Sequence, residues 1–272
     1  MSQYKQHVID CFNRRTAYDS EGAMHPYEAN KIIDFAPDIR DGQTVLDLAT
    51  GTGLVAILAA KQAAPSGSVI GVDISAGMLS QAKRKTESLE IGNLEFVEAD
   101  IESINFEPER FDVIFCCSAI MYVGDIPALL NKCRDWLRPG GYIVFSTSAI
   151  TAYRADIQMK VYRDLFDVEF PHILAPLGTP GKCKRMLEQA NFLDIEIERD
   201  RQGEYLRQGE YSVDVQWAED HVSPHADSLM KLATTQREEL QSAYQQATSE
   251  LMTAKGFWSD RSLLFVKARK EV

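Results

Sequence analysis

The sequence predicts an α/β fold, a doubly wound Rossmann-like sheet of seven strands, mostly parallel, with helical cap insertions. Runs of β-branched and aliphatic residues recur at 43–48, 68–72, 94–97, 111–117 and 141–147, and two more follow at 192–199 and 262–268. The segments between the first five read as helices, and apolar strands alternating with helices imply a parallel sheet covered on both faces. The first strand also leads through two glycines into a helix, in the stretch TVLDLATGTGLVAILAA over residues 44–60. Sheets of this kind bind ligands beyond the carboxyl ends of their strands.

Taken in chain order, residues 1–36 are expected to form an N-terminal helical flap of one or two helices, with the polar YDSEGAMH segment (18–25) as a flexible link. Residues 37–150 form the core. Within it, Ile126, Leu129, Leu130, Cys133 and Leu137 fall at helical spacing behind an Asp125 N-cap and an early Pro127. Pro139, Gly140 and Gly141 then make the turn into strand five. The stretch 151–180 begins helical and is broken by prolines at 171, 176 and 180. Helix 181–190 leads into FLDIEIER (192–199), and SLLFVKA (262–268) is the last strand. Between them, residues 201–258 read as a polar, Gln- and Glu-rich insertion, helical around 225–254. With no internal repeat or low-complexity linker, a single domain over 1–272, in which 151–180 and 201–258 are cap insertions, is simpler than two domains.

Composition narrows the partners. The chain of 272 residues can bury a full core, and 29 basic against 40 acidic residues leave a net charge of -11. That balance argues against nucleic acid and for a small-molecule partner. The opening MSQYKQHVIDCFNRR has no apolar h-region, and no segment reaches the ~18 apolar residues of a membrane span. A soluble, cytoplasmic monomer or homodimer with no membrane insertion is therefore expected. Five cysteines without zinc-like spacing read as reduced thiols, and no metal site is expected; Cys116 and Cys117 lie in an apolar run, as buried strand residues do.

The turn after the first strand carries the chemistry. Through Ala49, Thr50, Gly51, Thr52 and Gly53 the chain enters a helix, where glycines let backbone approach a ligand and the helix N-terminus presents free N–H groups. Asp73, 20 residues past Gly53 at the end of the second strand, is placed to accept hydrogen bonds from a ribose diol. GTGLVA (51–56) also fits the dinucleotide fingerprint G-x-G-x-x-A, which leaves a nicotinamide-dependent oxidoreductase open. Asp47 speaks against it. A carboxylate inside that turn repels a pyrophosphate and suits a cationic ligand.

The pattern DLATGTG (47–53) resembles the first motif of class I S-adenosylmethionine (SAM)-dependent methyltransferases, with Ala49 where that motif usually has its first glycine. GVDIS (71–75) with Met78 behind it, EADIE (98–102), FDVIFCCSAIMYV (111–123) and LRPGG (137–141) follow in order. The resemblance covers about residues 27–150 and looks closest to the small-molecule branch that includes ubiquinone and menaquinone C-methyltransferases. It implies SAM as cofactor and a methyl transfer to an O, N or C atom of a small organic acceptor, by an O- or N-methyltransferase of secondary metabolism or a C-methyltransferase of a quinone-like ring. It assigns Asp47 and the Ala49–Gly53 backbone, with Thr50 and Gly51, to the methionine end, Asp73 to the ribose hydroxyls, Ile74 and Met78 to the adenine, Asp100 to the adenine amino group, Ile101 to the ring's other side and Ser118 to the meeting point of methyl and substrate. A non-catalytic SAM-binding module shares these motifs.

In-line displacement at a sulfonium needs no obligatory catalytic side chain, and a general base is needed only where the acceptor must lose a proton. Of the five histidines, His7 falls on a surface helix and His221 and His225 flank Pro224 in a loop. His25, in the flap ahead of Pro26, is the candidate base. Tyr18 is the flap's candidate for cofactor contact, and Tyr27, Tyr122, Tyr153 and His172 are candidates for the acceptor.

Overall fold

The computed structural model describes residues 3–21, 24–169, 172–207 and 232–272. The chain divides into two compact units, the first Met1–Thr147, Cys183–Glu198 and Phe265–Val272, the second Ser148–Lys182 and Arg199–Leu264.

The first unit is built on a seven-stranded sheet of β1 (Thr44–Leu48), β2 (Ser68–Asp73), β3 (Leu94–Glu98), β4 (Phe111–Cys116), β5 (Leu137–Ser148), β6 (Leu193–Asp200) and β9 (Leu263–Arg269). Its order is β3-β2-β1-β4-β5-β9-β6. Starting at β1, the order reverses between β2 on one side and β4 on the other, and both pairings are parallel. This is the switch point where such sheets open a crevice at their carboxyl ends. The continuous apolar runs that marked the strands are buried from both faces: Leu46, Leu48, Ile114, Phe115 and Phe145 are fully enclosed. Helix α3 (Leu54–Ala63) follows β1, α4 (Ala76–Ser88) follows β2, α5 (Ile126–Trp136) follows β4, and α7 (Pro180–Gln189) leads to β6. Asp125 caps α5 as expected, its carboxylate accepting from the Ala128 N–H at 2.9 Å.

Residues 139–141 differ from the expected turn. β5 already begins at Leu137, and its register against β4 shifts between Phe111 and Val113, so Pro139, Gly140 and Gly141 form a bulge inside the strand. Gly140, at φ +77, supplies the left-handed residue, and its N–H bonds the Lys270 carbonyl at 3.1 Å. The flap consists of α1 (Gln3–Asn13), one 3-10 turn at Tyr18–Ser20 and α2 (Met24–Phe35).

The second unit packs α6 (Ala155–Phe166) against α8 (Thr234–Ser249) through Val161, Tyr162, Leu240 and Tyr244. It also holds an antiparallel ribbon of β7 (Gly203–Leu206) and β8 (Phe257–Asp260), on which Tyr205 and Trp258 meet edge to face at 5.1 Å. The sequence anticipated a helix here and no ribbon. Two four-residue strands separated by about 50 positions show no usable periodicity. His221 and His225, and the part of the expected 225–254 helix before residue 232, lie outside the described residues. Among the described residues no helix is long and apolar enough to cross a membrane.

Candidate active site

At the carboxyl end of β1 the backbone turns through three left-handed residues, Ala49 (φ +52), Gly51 (φ +56) and Gly53 (φ +79). Glycine accepts this conformation without strain, whereas Ala49 carries a Cβ penalty. Gly53 is the N-cap of α3 and has no side-chain cap, so the first amides of α3 face the cleft above the turn.

Asp47 lies beneath this turn, 1 % exposed. Its Oδ2 accepts from the Thr50 hydroxyl at 2.6 Å and from the Ala56 N–H at 3.1 Å, and Oδ1 takes neither bond. Burial pushes its carboxyl up to about 7, against the pull of those two bonds. Among the described residues it has no ion-pair partner. At the end of β2, Asp73 accepts from the Gly51 N–H on Oδ2 (2.7 Å) and from the Ser75 N–H on Oδ1 (2.8 Å). Burial raises its carboxyl too, opposed by these bonds. Asp73 therefore ties the glycine turn to the start of α4, with the Ile74 N–H as a further backbone donor to its carboxyl.

The flap closes over both strand ends. In the 3-10 turn, Asp19 accepts from the Thr52 hydroxyl at 2.5 Å and pairs with Lys85 of α4 at 2.6 Å. Tyr18 stacks on the His25 ring at 4.1 Å, and the Arg15 guanidinium lies 4.2 Å above the Tyr18 ring. Arg15 also reaches the His25 Nε2 at 3.5 Å. Burial first, and then Arg15, lower the His25 pKa, so its imidazole is neutral near pH 7, with Nε2 turned toward a cation. Asn13 at the end of α1 accepts from the Ser75 hydroxyl at 2.7 Å and the Gly77 N–H at 2.9 Å. Nearer its start, α1 sends Lys5 to Asp100 and to Glu102, the latter at 3.0 Å.

A third buried carboxyl completes the cleft. Glu28 of α2 is 5 % exposed, and its Oε1 accepts from the Ser118 hydroxyl at 2.5 Å and the Ser146 hydroxyl at 2.7 Å. Ser146 in turn accepts from the Ser118 N–H at 2.9 Å, which holds Ser118 at φ +49 just past β4. Burial raises the Glu28 carboxyl, with the two serine bonds opposing. Burial and then Glu28 push the Cys117 thiol well above its ordinary range, so it carries no nucleophilic thiolate.

The structure gathers Tyr18, His25, Asp47, Ala49, Thr50, Gly51 and Ser118 around one cleft, together with Glu28. Ile74 and Asp100 line a neighbouring depression with Lys5 and Asn13. Ile101 is half-buried beside Asp100. Gly53 shapes the turn. Met78 differs from its expected place at a ligand: 1 % exposed, it is a core residue, because the Ser75 N-cap directs the first turn of α4 inward. Tyr122 is half-buried, with its carbonyl taking the Tyr4 hydroxyl at 2.9 Å, and Tyr27 is 39 % exposed on α2; neither lines that cleft. Tyr153 and His172 belong to the second unit, Tyr153 exposed and His172 buried with its Nδ1 accepting from the Leu174 N–H. Sequence reasoning missed Glu28, Asp19, Lys5, Asn13 and Ser146. Only Glu28 left a trace, as a charged residue four positions before Ile32 on the apolar stripe of α2.

A family model described as a methyltransferase domain matches residues 39–191, more than half of the chain, and the chain belongs to that family. Demethylmenaquinone methyltransferase of Staphylococcus aureus is 29 % identical over 181 residues, covering 58 % of this chain and 71 % of that one. Among solved structures, the YcgJ protein of Bacillus subtilis superposes with a TM-score of 0.59 at 13 % identity, over 90 % of this chain and 99 % of that one. Phosphoethanolamine N-methyltransferase 2 of Haemonchus contortus, solved with phosphomonomethylethanolamine and S-adenosylhomocysteine, gives 0.55 at 21 % identity, over 90 % of this chain and 53 % of that one. The protein is an enzyme, a class I methyltransferase that uses SAM.

Proposed function

We propose that this methyltransferase acts on a small, partly apolar organic acceptor, transferring the methyl group to an O, N or C atom by in-line displacement. SAM, when bound, supplies an activated methyl on a sulfonium. The chain's own residues fit such a ligand: Asp47 binds the cationic methionine end with the Ala49–Gly53 backbone, Asp73 the ribose hydroxyls, and Ile74, Ile101 and Asp100 the adenine. Tyr18 and His25 close the flap over it. Their task is to hold the reacting atoms in line and to keep water out.

The observation that carries this reading is that Asp47 and Glu28, both buried and neither in an ion pair among the described residues, line one cleft at the strand ends. A buried carboxyl without a cation is costly unless a ligand or a proton satisfies it. Incubation with SAM and a panel of phenols, amines and quinols, with S-adenosylhomocysteine read by mass spectrometry, tests the reading. A menaquinone-type quinol belongs in the panel because of the 29 %-identical Staphylococcus aureus relative. SAM should bind by calorimetry where NADH does not. Absence of SAM binding refutes the assignment.

A further inference from the structure

We propose that Glu28 is a catalytic carboxyl on the acceptor side of the cleft, and that the acceptor presents a hydroxyl or amine hydrogen to it. The inference rests on the methyltransferase reading and adds the destination of the proton, which requires an acceptor that carries an O–H or N–H group.

Four observations carry it. Glu28 is 5 % exposed and lines the same cleft as Asp47. Both of its hydrogen bonds among the described residues, from Ser118 and Ser146, fall on Oε1, which leaves Oε2 unengaged by any of them. The groups facing it around the cleft are Tyr18 and His25 of the flap, Asp47 of β1 and Cys117 after β4. None of them is a cation near neutral pH, since His25 is held neutral by burial and Arg15. Lastly, Ser118 and Ser146 stand at the ends of β4 and β5, so the carboxyl is fixed against the sheet. An orienting pair of hydroxyls on one oxygen and a vacant second oxygen is the geometry of a general base held by positioning residues. Ser118 and Ser146 act through Glu28 and are those positioning residues.

The step balances. As the acceptor's oxygen or nitrogen forms its bond to the methyl carbon, the C–S bond breaks with its electron pair going to sulfur, which becomes a neutral thioether. The acceptor's O–H or N–H electrons stay on the heteroatom, and its proton passes to Glu28 Oε2. Glu28 returns that proton to water when the product leaves. An acceptor with no O–H or N–H group gives Oε2 no comparable hydrogen bond before reaction, and so gains nothing from this arrangement.

The test uses the full chain and the variant Glu28→Gln, whose amide oxygen keeps the two serine bonds. Phenol, catechol and benzylamine are the acceptor probes, and 1,4-dimethoxy-2-methylnaphthalene, which carries no O–H or N–H, is the control. S-adenosylhomocysteine should bind the variant within threefold of wild type by calorimetry. For any heteroatom probe turned over, kcat should fall by ~10²-fold or more, and the acid limb of the kcat–pH profile should vanish. Independently of turnover, the 13C carboxyl signal of Glu28, assigned by its loss in Glu28→Gln, should move when a heteroatom probe is added to the S-adenosylhomocysteine complex. A signal indifferent to all three probes overturns the inference. So does unchanged kcat, turnover of 1,4-dimethoxy-2-methylnaphthalene, or an acid limb that disappears in His25→Ala and persists in Glu28→Gln. Failure of wild type to bind SAM instead overturns the parent reading, and the calorimetry separates the two.

Discussion

On the proposed reading, Asp47 makes cofactor binding a proton-release reaction. Burial pushes its carboxyl up to about 7 from an ordinary 3.8, so the ligand-free protein carries the proton there at pH 6 in about nine molecules of ten. The folded-state value is raised, and so the linkage has a definite sign. The protonated carboxyl stabilises the ligand-free fold fully below about pH 4, and this contribution is lost as pH rises through about 7. A ligand ammonium beside the carboxylate reverses the preference. An ion pair at ~4 Å with an effective dielectric of ~20 gives about 4 kcal/mol, or about three pKa units, which returns Asp47 to the ordinary carboxylate range. S-adenosylhomocysteine binding at pH 6 should then release about 0.9 proton, and affinity should tighten about tenfold from pH 6 to pH 8. Calorimetry in two buffers of different ionisation enthalpy reads the release directly. Asp47→Asn keeps an oxygen for Thr50 and Ala56 and should show weak, pH-independent binding. Equal apparent enthalpies in both buffers at pH 6, or the same release in Asp47→Asn, would refute the reasoning.

Three further outcomes follow from the same geometry. Asp73→Asn sets an NH₂ against either the Gly51 or the Ser75 N–H, so it should cost about 1–3 kcal/mol of stability by thermal unfolding and weaken S-adenosylhomocysteine binding about 10- to 200-fold; undiminished affinity in the folded variant removes Asp73 from the ribose. Ala49→Gly relieves a left-handed alanine and should stabilise by about 0.5–1 kcal/mol in urea melts, whereas a loss would show that the Ala49 methyl packs usefully. Ser146→Ala removes one bond to the Glu28 carboxylate, so the acid limb of the rate profile should move up by about one to two pH units with the plateau retained; an unmoved limb dissociates Ser146 from Glu28.

What the sequence disclosed and what it withheld divide along the range of the interactions. Asp47, Thr50, Gly51 and Gly53 sit within one strand and one turn, and Asp73 ends the next strand, so local pattern sufficed to bring these residues to neighbouring strand ends. Five strands of the sheet, β1, β2, β4, β5 and β9, were legible because burial from both faces makes them apolar runs, and the edge strands β3 and β6 were legible by alternation. Gly140 reads the same in a turn as in a bulge, and only the register shift against β4 distinguishes them. Glu28 is the opposite case. Its meaning depends on hydroxyls 90 and 118 residues away, and in α2 it is simply a glutamate followed by alanine. His25 drew attention by residue type, yet its ring is engaged by Tyr18 and Arg15 three-dimensionally, through contacts within the flap itself. The acceptor side is thus assembled from α2 and the ends of β4 and β5, segments that short motifs do not link.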